Sequence, residues 1–163
     1  MPGKDQPNQN HSALIVTICI FFFWGFVASG NVLLIPVLKK KFSLTQFQSQ
    51  LVELSFYLAY FTGSLNYFLV SLKKTQWMER FSSKKIMIAG LFLSAIGTLA
   101  LVVAAGLHSY LFLLSSLFII ASGFALQQII ANPLLVKLGG ELHGAHRLIL
   151  AGAVNSFGNT IAP

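Results

Sequence analysis

The pattern along the chain consists of long apolar runs separated by short polar stretches. A helix needs about 20 predominantly apolar residues to cross a bilayer. Four of the runs reach that length and predict transmembrane helices at about 13–38, 47–72, 86–107 and 111–138. A fifth apolar segment, at 148–163, is too short to span fully. The pattern therefore predicts an all-α membrane bundle of four transmembrane helices plus a partial fifth.

The polar stretches between the runs indicate where helices begin and how they are connected. Residues 1–12 are rich in amides and proline, which predicts a disordered tail ahead of one bundle at 13–163. Ser43 and Thr45 are both candidates for the N-cap of the second helix. The connection at 108–110 is so short that the third and fourth spans are predicted to form an antiparallel hairpin.

One face of the third span consists of small residues. Gly90, Ser94 and Gly97 recur at helical spacing. Small residues let two helix backbones approach closely in a membrane. This stripe therefore predicts close helix packing rather than a binding site.

Composition supports the membrane assignment and excludes several other classes. Only 9% of the residues are charged and 55% are hydrophobic, whereas soluble domains carry about 25% charged residues. The single cysteine, Cys19, excludes an internal disulfide. Around His143 and His146 no acid or cysteine completes a set of metal ligands, so no metal or cofactor is expected. Signature motifs of soluble enzymes are absent, and an enzyme is not expected.

The net charge of +7 is distributed as short basic clusters between the apolar runs. That distribution is typical of topology signals and argues against a nucleic-acid partner. A cytoplasmic N-terminus places more basic residues inside than outside, as the positive-inside rule requires. The inside set is Lys4, Lys73, Lys74, Arg80, Lys84, Lys85, Lys137 and Arg147, and the outside set is Lys39, Lys40 and Lys41. We therefore expect a multi-pass protein of the cell inner membrane with its N-terminus in the cytoplasm.

Side-chain amides inside the spans are the first candidates for function. An amide that faces lipid tails has no hydrogen-bond partner, which costs free energy. Gln128 and Asn132 are four residues apart and share one face of the fourth helix, while Asn31 and Asn155 lie in the first and fifth apolar segments. These amides are predicted to face a polar cavity. For Asn31 an inter-helix hydrogen bond is equally plausible, and Asn132 could instead satisfy the backbone carbonyl freed by Pro133.

The second span carries the remaining candidates. Glu53 is the one acid within any predicted span, and ionisable groups in a bilayer are expensive and commonly functional. It could instead lie in the headgroup region or pair with a lysine. Tyr57 and Tyr60 share its helix face, and an aromatic face suits either packing or contact with a ligand.

Three groups of residues resemble one known family. The first runs from Phe22-Phe23-Trp24 through Asn31 to Pro36 and on to Phe42-Ser43-Leu44-Thr45-Gln46-Phe47-Gln48. The second is Ser55-Phe56-Tyr57-Leu58-Ala59-Tyr60-Phe61. The third is Ala131-Asn132-Pro133, then Arg147-Leu148 and Asn155-Ser156-Phe157-Gly158. Together they resemble the N-terminal part of the L-fucose permease and glucose/galactose transporter family of the major facilitator superfamily.

The resemblance implies a transporter of twelve spans in two six-span halves that rock about a central site. It implies secondary active transport of a monosaccharide of the fucose, glucose and galactose class, coupled to H⁺ or Na⁺. On that reading 13–163 is part of the first half, the C-terminal half is missing, and the chain is an incomplete fragment. The alternative is a small four-helix membrane scaffold or a non-functional remnant.

Two positions depart from the fucose permease pattern. Val32 and Gln128 stand where that pattern has acidic residues linked to proton coupling and sugar binding. Gln128 keeps its hydrogen-bonding capacity but cannot titrate. The expected substrate contacts are therefore Asn31, Gln128, Asn132, Asn155 and Tyr57. Our hypothesis is that a coupling acid in this part of the protein has moved to Glu53, or that coupling uses sodium or the other half.

Overall fold

The computed structural model describes residues 11–73, 83–138 and 143–162, and its regular secondary structure in those ranges is entirely helical. The helices are α1 (His11–Lys41), α2 (Gln46–Lys73), α3 (Ser83–Leu107), α4 (Tyr110–Lys137) and α5 (Gly144–Ile161). Each predicted span corresponds to one of them, which confirms the all-α bundle. The predicted N-terminal tail lies outside the described residues, apart from His11 and Ser12, which begin α1.

Length and apolar composition mark three of the described helices as candidate membrane spans: α1, α3 and α4. Helix α2 is as long as α4, at 28 residues. Its sequence includes polar side chains such as Glu53 and Asn66, which lower its apolar content. Helix α5 is 18 residues long, close to the minimum for crossing a bilayer.

A tight turn joins α1 to α2 and ends in a capping box. The Thr45 backbone N–H donates to Oε1 of Gln48 (2.9 Å), and the Gln48 N–H donates back to Oγ1 of Thr45 (3.3 Å). This reciprocal pair satisfies two donors that the first turn of a helix leaves open. Ser43 has a positive φ of 51° and turns the chain ahead of the cap. Of the two predicted N-caps, Thr45 is therefore the one that forms.

The short connection between α3 and α4 makes them an antiparallel hairpin, as predicted. His108 reverses the chain with a φ of 51°, and the Ser109 N–H donates to the Ala104 carbonyl (3.3 Å). Gly90, Ser94 and Gly97 are all buried. A Cβ at Gly90 would lie 2.7 Å from the Gly123 carbonyl oxygen, so only glycine permits this approach of α4. The small-residue face is confirmed as a packing face.

The chain divides into two compact units. The terminal unit comprises Met1–Leu33 and Ala131–Pro163, and the central unit comprises Leu34–Ile130. The boundaries fall within α1 and α4.

The central unit has an apolar core. It consists of Leu38, Leu44, Val52, Ala104, Leu113, Leu117 and Ile120. Hydrogen bonds to the backbone tie its helices around this core. The Ser55 hydroxyl donates to the Leu114 carbonyl (2.9 Å), and the Tyr110 hydroxyl donates to the Gln48 carbonyl (2.9 Å).

The terminal unit packs through glycines. Cβ atoms added at Gly25 and Gly158 would collide with the backbone carbonyl oxygens of Asn155 and Phe22, respectively. The rings of Phe22 and Phe157 lie 6.3 Å apart beside this contact. Backbone-to-backbone approach of α1 and α5 therefore depends on both glycines.

Candidate functional site

The amide of Gln128 has a partner from another helix of the central unit. Its Nε2 donates to the Tyr60 hydroxyl at 3.2 Å, and both side chains are half-buried. Phe56 packs against the Tyr60 ring with centroids 5.5 Å apart. The α2 face that carries Tyr60 thus meets α4 at Gln128. The contact leaves the side-chain Oε1 of Gln128 available as an acceptor.

Asn132 follows Gln128 by one helical turn and is exposed. Among the residues that the structure describes, its side chain has no hydrogen-bond partner, although Pro133 follows within the helix. The interpretation in which Asn132 satisfies a freed carbonyl therefore gains no support. An amide exposed within an apolar helix needs water, a ligand or other protein beside it. Asn31 is half-buried and likewise has no side-chain partner in the described ranges.

Asn155 has a packing contact instead. Its Nδ2 donates to the Phe21 carbonyl at 2.9 Å, which joins α5 to α1 within the terminal unit. The backbone carbonyl of Asn155 lies against Gly25, so the hydrogen bond from Asn155 to Phe21 lies where α1 and α5 approach each other most closely. The side chain of Asn155 therefore uses its Nδ2 in this contact, and its Oδ1 remains as a possible acceptor.

Tyr57 and Glu53 are exposed on α2 and do not share the inward contact of Tyr60. Glu53 lies about 10 Å along the helix axis from Gln46, at 1.5 Å per residue. In the described parts of the chain, no basic side chain forms an ion pair with it. The hypothesis that a lysine pairs with Glu53 gains no support here.

The two histidines after α4 are exposed, at the start of α5. Within the described ranges, no group of three or more His, Cys, Asp or Glu side chains could hold a metal ion.

Arg147 has a structural role that the sequence did not predict, since the sequence indicated only a topology charge and a residue of the family resemblance. It is buried, and its Nε and Nη2 donate to the carbonyls of Leu135 (2.9 Å) and Val136 (2.8 Å). Those carbonyls belong to the last turn of α4, which has no intrahelical donors for them. A cation there also complements the helix dipole. A basic residue soon after a helix end was the available sequence signal.

Comparison with known proteins extends this picture. The family model described as Major Facilitator Superfamily matches residues 6–163. The chain is 40% identical over 160 residues to a glucose/galactose transporter of Brucella abortus biovar 1 (strain 9-941), covering 98% of this chain and 37% of that protein. It is 37% identical over 143 residues to the L-fucose-proton symporter of Escherichia coli (strain K12), covering 88% of this chain and 31% of that protein.

Solved structures agree with these relatives. The crystal structure of a Major Facilitator Superfamily transporter, FucP, in the outward conformation matches with a TM-score of 0.74 at 35% identity, covering 91% of this chain and 34% of that one. A variant of the E. coli fucose:proton symporter matches with a TM-score of 0.70 at 33% identity, covering 92% and 34%. The chain thus spans about a third of the length of the relatives it matches.

Proposed function

The chain belongs to the Major Facilitator Superfamily, and we propose that the protein is a secondary active transporter for a monosaccharide of the fucose, glucose and galactose class. Relatives named glucose/galactose transporter and L-fucose-proton symporter support the substrate class. The observation that carries the proposal in this chain concerns two amides of α4. Gln128 donates to Tyr60, and Asn132, one turn further along α4, is exposed. It provides hydrogen-bonding groups, without a charge, inside an apolar span.

These groups suit a neutral polyol. A sugar hydroxyl both donates and accepts, and a side-chain amide offers both functions. Gln128, Asn132 and Asn31 are the proposed polar contacts, and Tyr57 is the proposed aromatic surface for the apolar face of the sugar ring. Asn155 is proposed to contribute through its free oxygen and by fixing α5 against α1.

We propose the inner membrane as the location, with the N-terminus in the cytoplasm and transport by alternating access. A pathway of this kind needs a second helical bundle facing this one. We expect the natural gene product, or an assembly of it, to supply that bundle.

The transport test is uptake of radiolabelled sugars by cells that express the natural gene product. L-fucose, D-glucose and D-galactose form the panel, with cells carrying an empty vector as the baseline. We expect saturable uptake of at least one, and unlabelled sugar of the same kind should compete. Uptake at the baseline for the whole panel, with the protein present in the membrane, would reject the proposed substrate class.

Coupling is proposed to use H⁺ or Na⁺, with Glu53 as the candidate titratable group. Glu53 is the one side-chain carboxylate among the described residues, whereas Gln128 cannot titrate. Glu53→Gln keeps the shape and removes the charge. We expect it to abolish the dependence of uptake on the proton or sodium gradient, while Tyr57→Phe, one turn away, retains that dependence. Unchanged coupling in Glu53→Gln would remove Glu53 from the mechanism.

A further inference from the structure

Three lysines and a histidine lie at one corner of the central unit. Lys39, Lys40 and Lys41 form the last turn of α1, and all three are exposed. The turn between α3 and α4 lies beside them, because the His108 ring is 5.9 Å from the Phe42 ring. His108 is also exposed. Nδ1 of His108 donates to the Gly106 carbonyl (3.3 Å), so the free donors at this end of the bundle are those of the lysine turn.

Hydrogen bonds join the lysine turn to the start of α2. Nζ of Lys39 donates to Oε1 of Gln46 at 2.7 Å, and the Lys39 carbonyl accepts from the Leu44 N–H at 3.0 Å. The capping box at the start of α2 follows immediately. Lys40 and Lys41 therefore lie in a helical turn that is hydrogen-bonded to the start of α2.

Among the described residues, little negative charge compensates the positive charge of the corner. The sequence has four acids, and of these only Glu53 lies in the described residues, about 10 Å along α2 from Gln46. The C-terminal dipole of α1 contributes about half a negative charge against three lysines. In the proposed orientation this end faces outward, where the positive-inside rule does not favour basic residues. Topology therefore does not account for the cluster.

Exposed apolar side chains lie close in sequence to the lysine turn and to His108, and together they are called the apolar rim. Val37 and Phe47 flank the lysine turn and are exposed, as are Leu107 and Leu111 on either side of His108. Exposed large apolar side chains at the end of a membrane helix indicate where the hydrocarbon begins, so the lysines lie at headgroup level. A ligand that contacts both layers has an anionic head and acyl chains.

We propose that this corner binds the phosphate of an anionic phospholipid, with Lys40 and Lys41 as the cations that contact it. Lys39 is partly engaged by Gln46 and holds the turn in place. The acyl chains lie against the apolar rim. The proposal does not depend on which molecule the protein transports.

The test titrates the purified natural gene product in neutral detergent with phosphatidylglycerol, using phosphatidylcholine as the uncharged comparison. The thermal unfolding midpoint reports stabilisation, and native mass spectrometry counts bound lipid. Phosphatidylglycerol should raise the midpoint of the wild-type protein saturably, and phosphatidylcholine should not. At about a fivefold change per surface lysine, Lys40→Gln with Lys41→Gln should weaken phosphatidylglycerol binding roughly 25-fold.

The matched control is Lys84→Gln with Lys85→Gln, which removes two exposed lysines at the opposite end of α3. This variant should keep wild-type phosphatidylglycerol binding. The lipid-free midpoint of each variant verifies that it folds. Equal loss in both double variants, unchanged binding without Lys40 and Lys41, or equal binding of phosphatidylcholine would overturn the proposal. Saturable stabilisation of the same size by inorganic phosphate alone would assign the corner to a soluble anion and also overturn it.

Discussion

The interactions that stabilise the terminal unit internally differ from those that stabilise the central unit. In the central unit, seven buried apolar side chains form one cluster, and hydroxyl groups add bonds between helices. In the terminal unit, glycines bring backbones together, and Asn155 and Arg147 bind backbone carbonyls. Lipid tails are as apolar as leucine, so packing without voids and polar bonds must supply much of the stability in a membrane. The terminal unit is the more dependent on such contacts.

The largest effect expected from that difference concerns Gly158. An alanine there would place its Cβ against the Phe22 carbonyl and 3.1 Å from the Phe26 backbone nitrogen, neither of which can rotate away. We expect Gly158→Ala to lower the free energy of unfolding by about 3 kcal/mol. Gly152→Ala on the same helix is the control, because a Cβ added there would have no atom within 4 Å. Unfolding in mixed detergent micelles measures both, and equal values would refute the close-approach argument.

Arg147 should come next. Arg147→Ala removes the donors to Leu135 and Val136 and leaves buried carbonyls unsatisfied, which should cost about 2 kcal/mol. The control is Lys137→Ala, which removes an exposed charge from the same helix end and should cost about 0.5 kcal/mol. The same unfolding measurement in mixed detergent micelles gives both values. If the two variants lost equal stability, the loss would come from removing any positive charge near this helix end and not from the hydrogen bonds of Arg147.

Ser94 tests how far the central unit depends on polar bonds. Its hydroxyl donates to the carbonyls of Gly90 (3.0 Å) and Ile120 (3.2 Å). Ser94→Ala keeps the small side chain and should cost about 1 kcal/mol. Ser115→Ala is the control, because that hydroxyl bonds only within its own helix, to Leu111. A loss at Ser94 larger than at Arg147 would contradict the contrast between the units.

Tyr60 should show the smallest effect on stability. Tyr60→Phe removes the hydroxyl that accepts from Gln128 at 3.2 Å. Polar side-chain pairs between membrane helices contribute about 0.6 kcal/mol on average, so the unfolding free energy should change by about that amount. A change above that of Ser94→Ala would mean that the Gln128 contact holds the unit together rather than serving the site.

Hydropathy predicted the existence and order of the helices well, because four of the apolar runs are long enough to cross a bilayer and the fifth is only slightly shorter. It did not locate their ends. Helix α1 continues through Lys39, Lys40 and Lys41, because cations stabilise a helix C-terminus although they end the apolar run. The packing face at Gly90, Ser94 and Gly97 was predictable from spacing alone.

The contacts of single polar side chains were less predictable. Asn155 binds a carbonyl 134 positions away, and no local pattern encodes such a pairing. The partner of Gln128 lies 68 positions away. It is on a helix face where the spacing of the tyrosines suits packing and ligand binding equally well. Sequence could indicate that Gln128 needs a partner, but the fold selects Tyr60 over Tyr57.

The measurement that tests the central proposal most directly is equilibrium binding of the transported sugar to the purified natural gene product and to three variants. We expect Gln128→Ala and Asn132→Ala each to weaken binding about tenfold or more, since each deletes hydrogen bonds to a sugar hydroxyl. Asn66→Ala is the matched amide deletion, because the Asn66 amide donates within its own helix to Thr62. It should bind sugar as the wild type does. Unchanged affinity in both α4 variants, or an equal loss in Asn66→Ala, would contradict a sugar site on the Gln128 face.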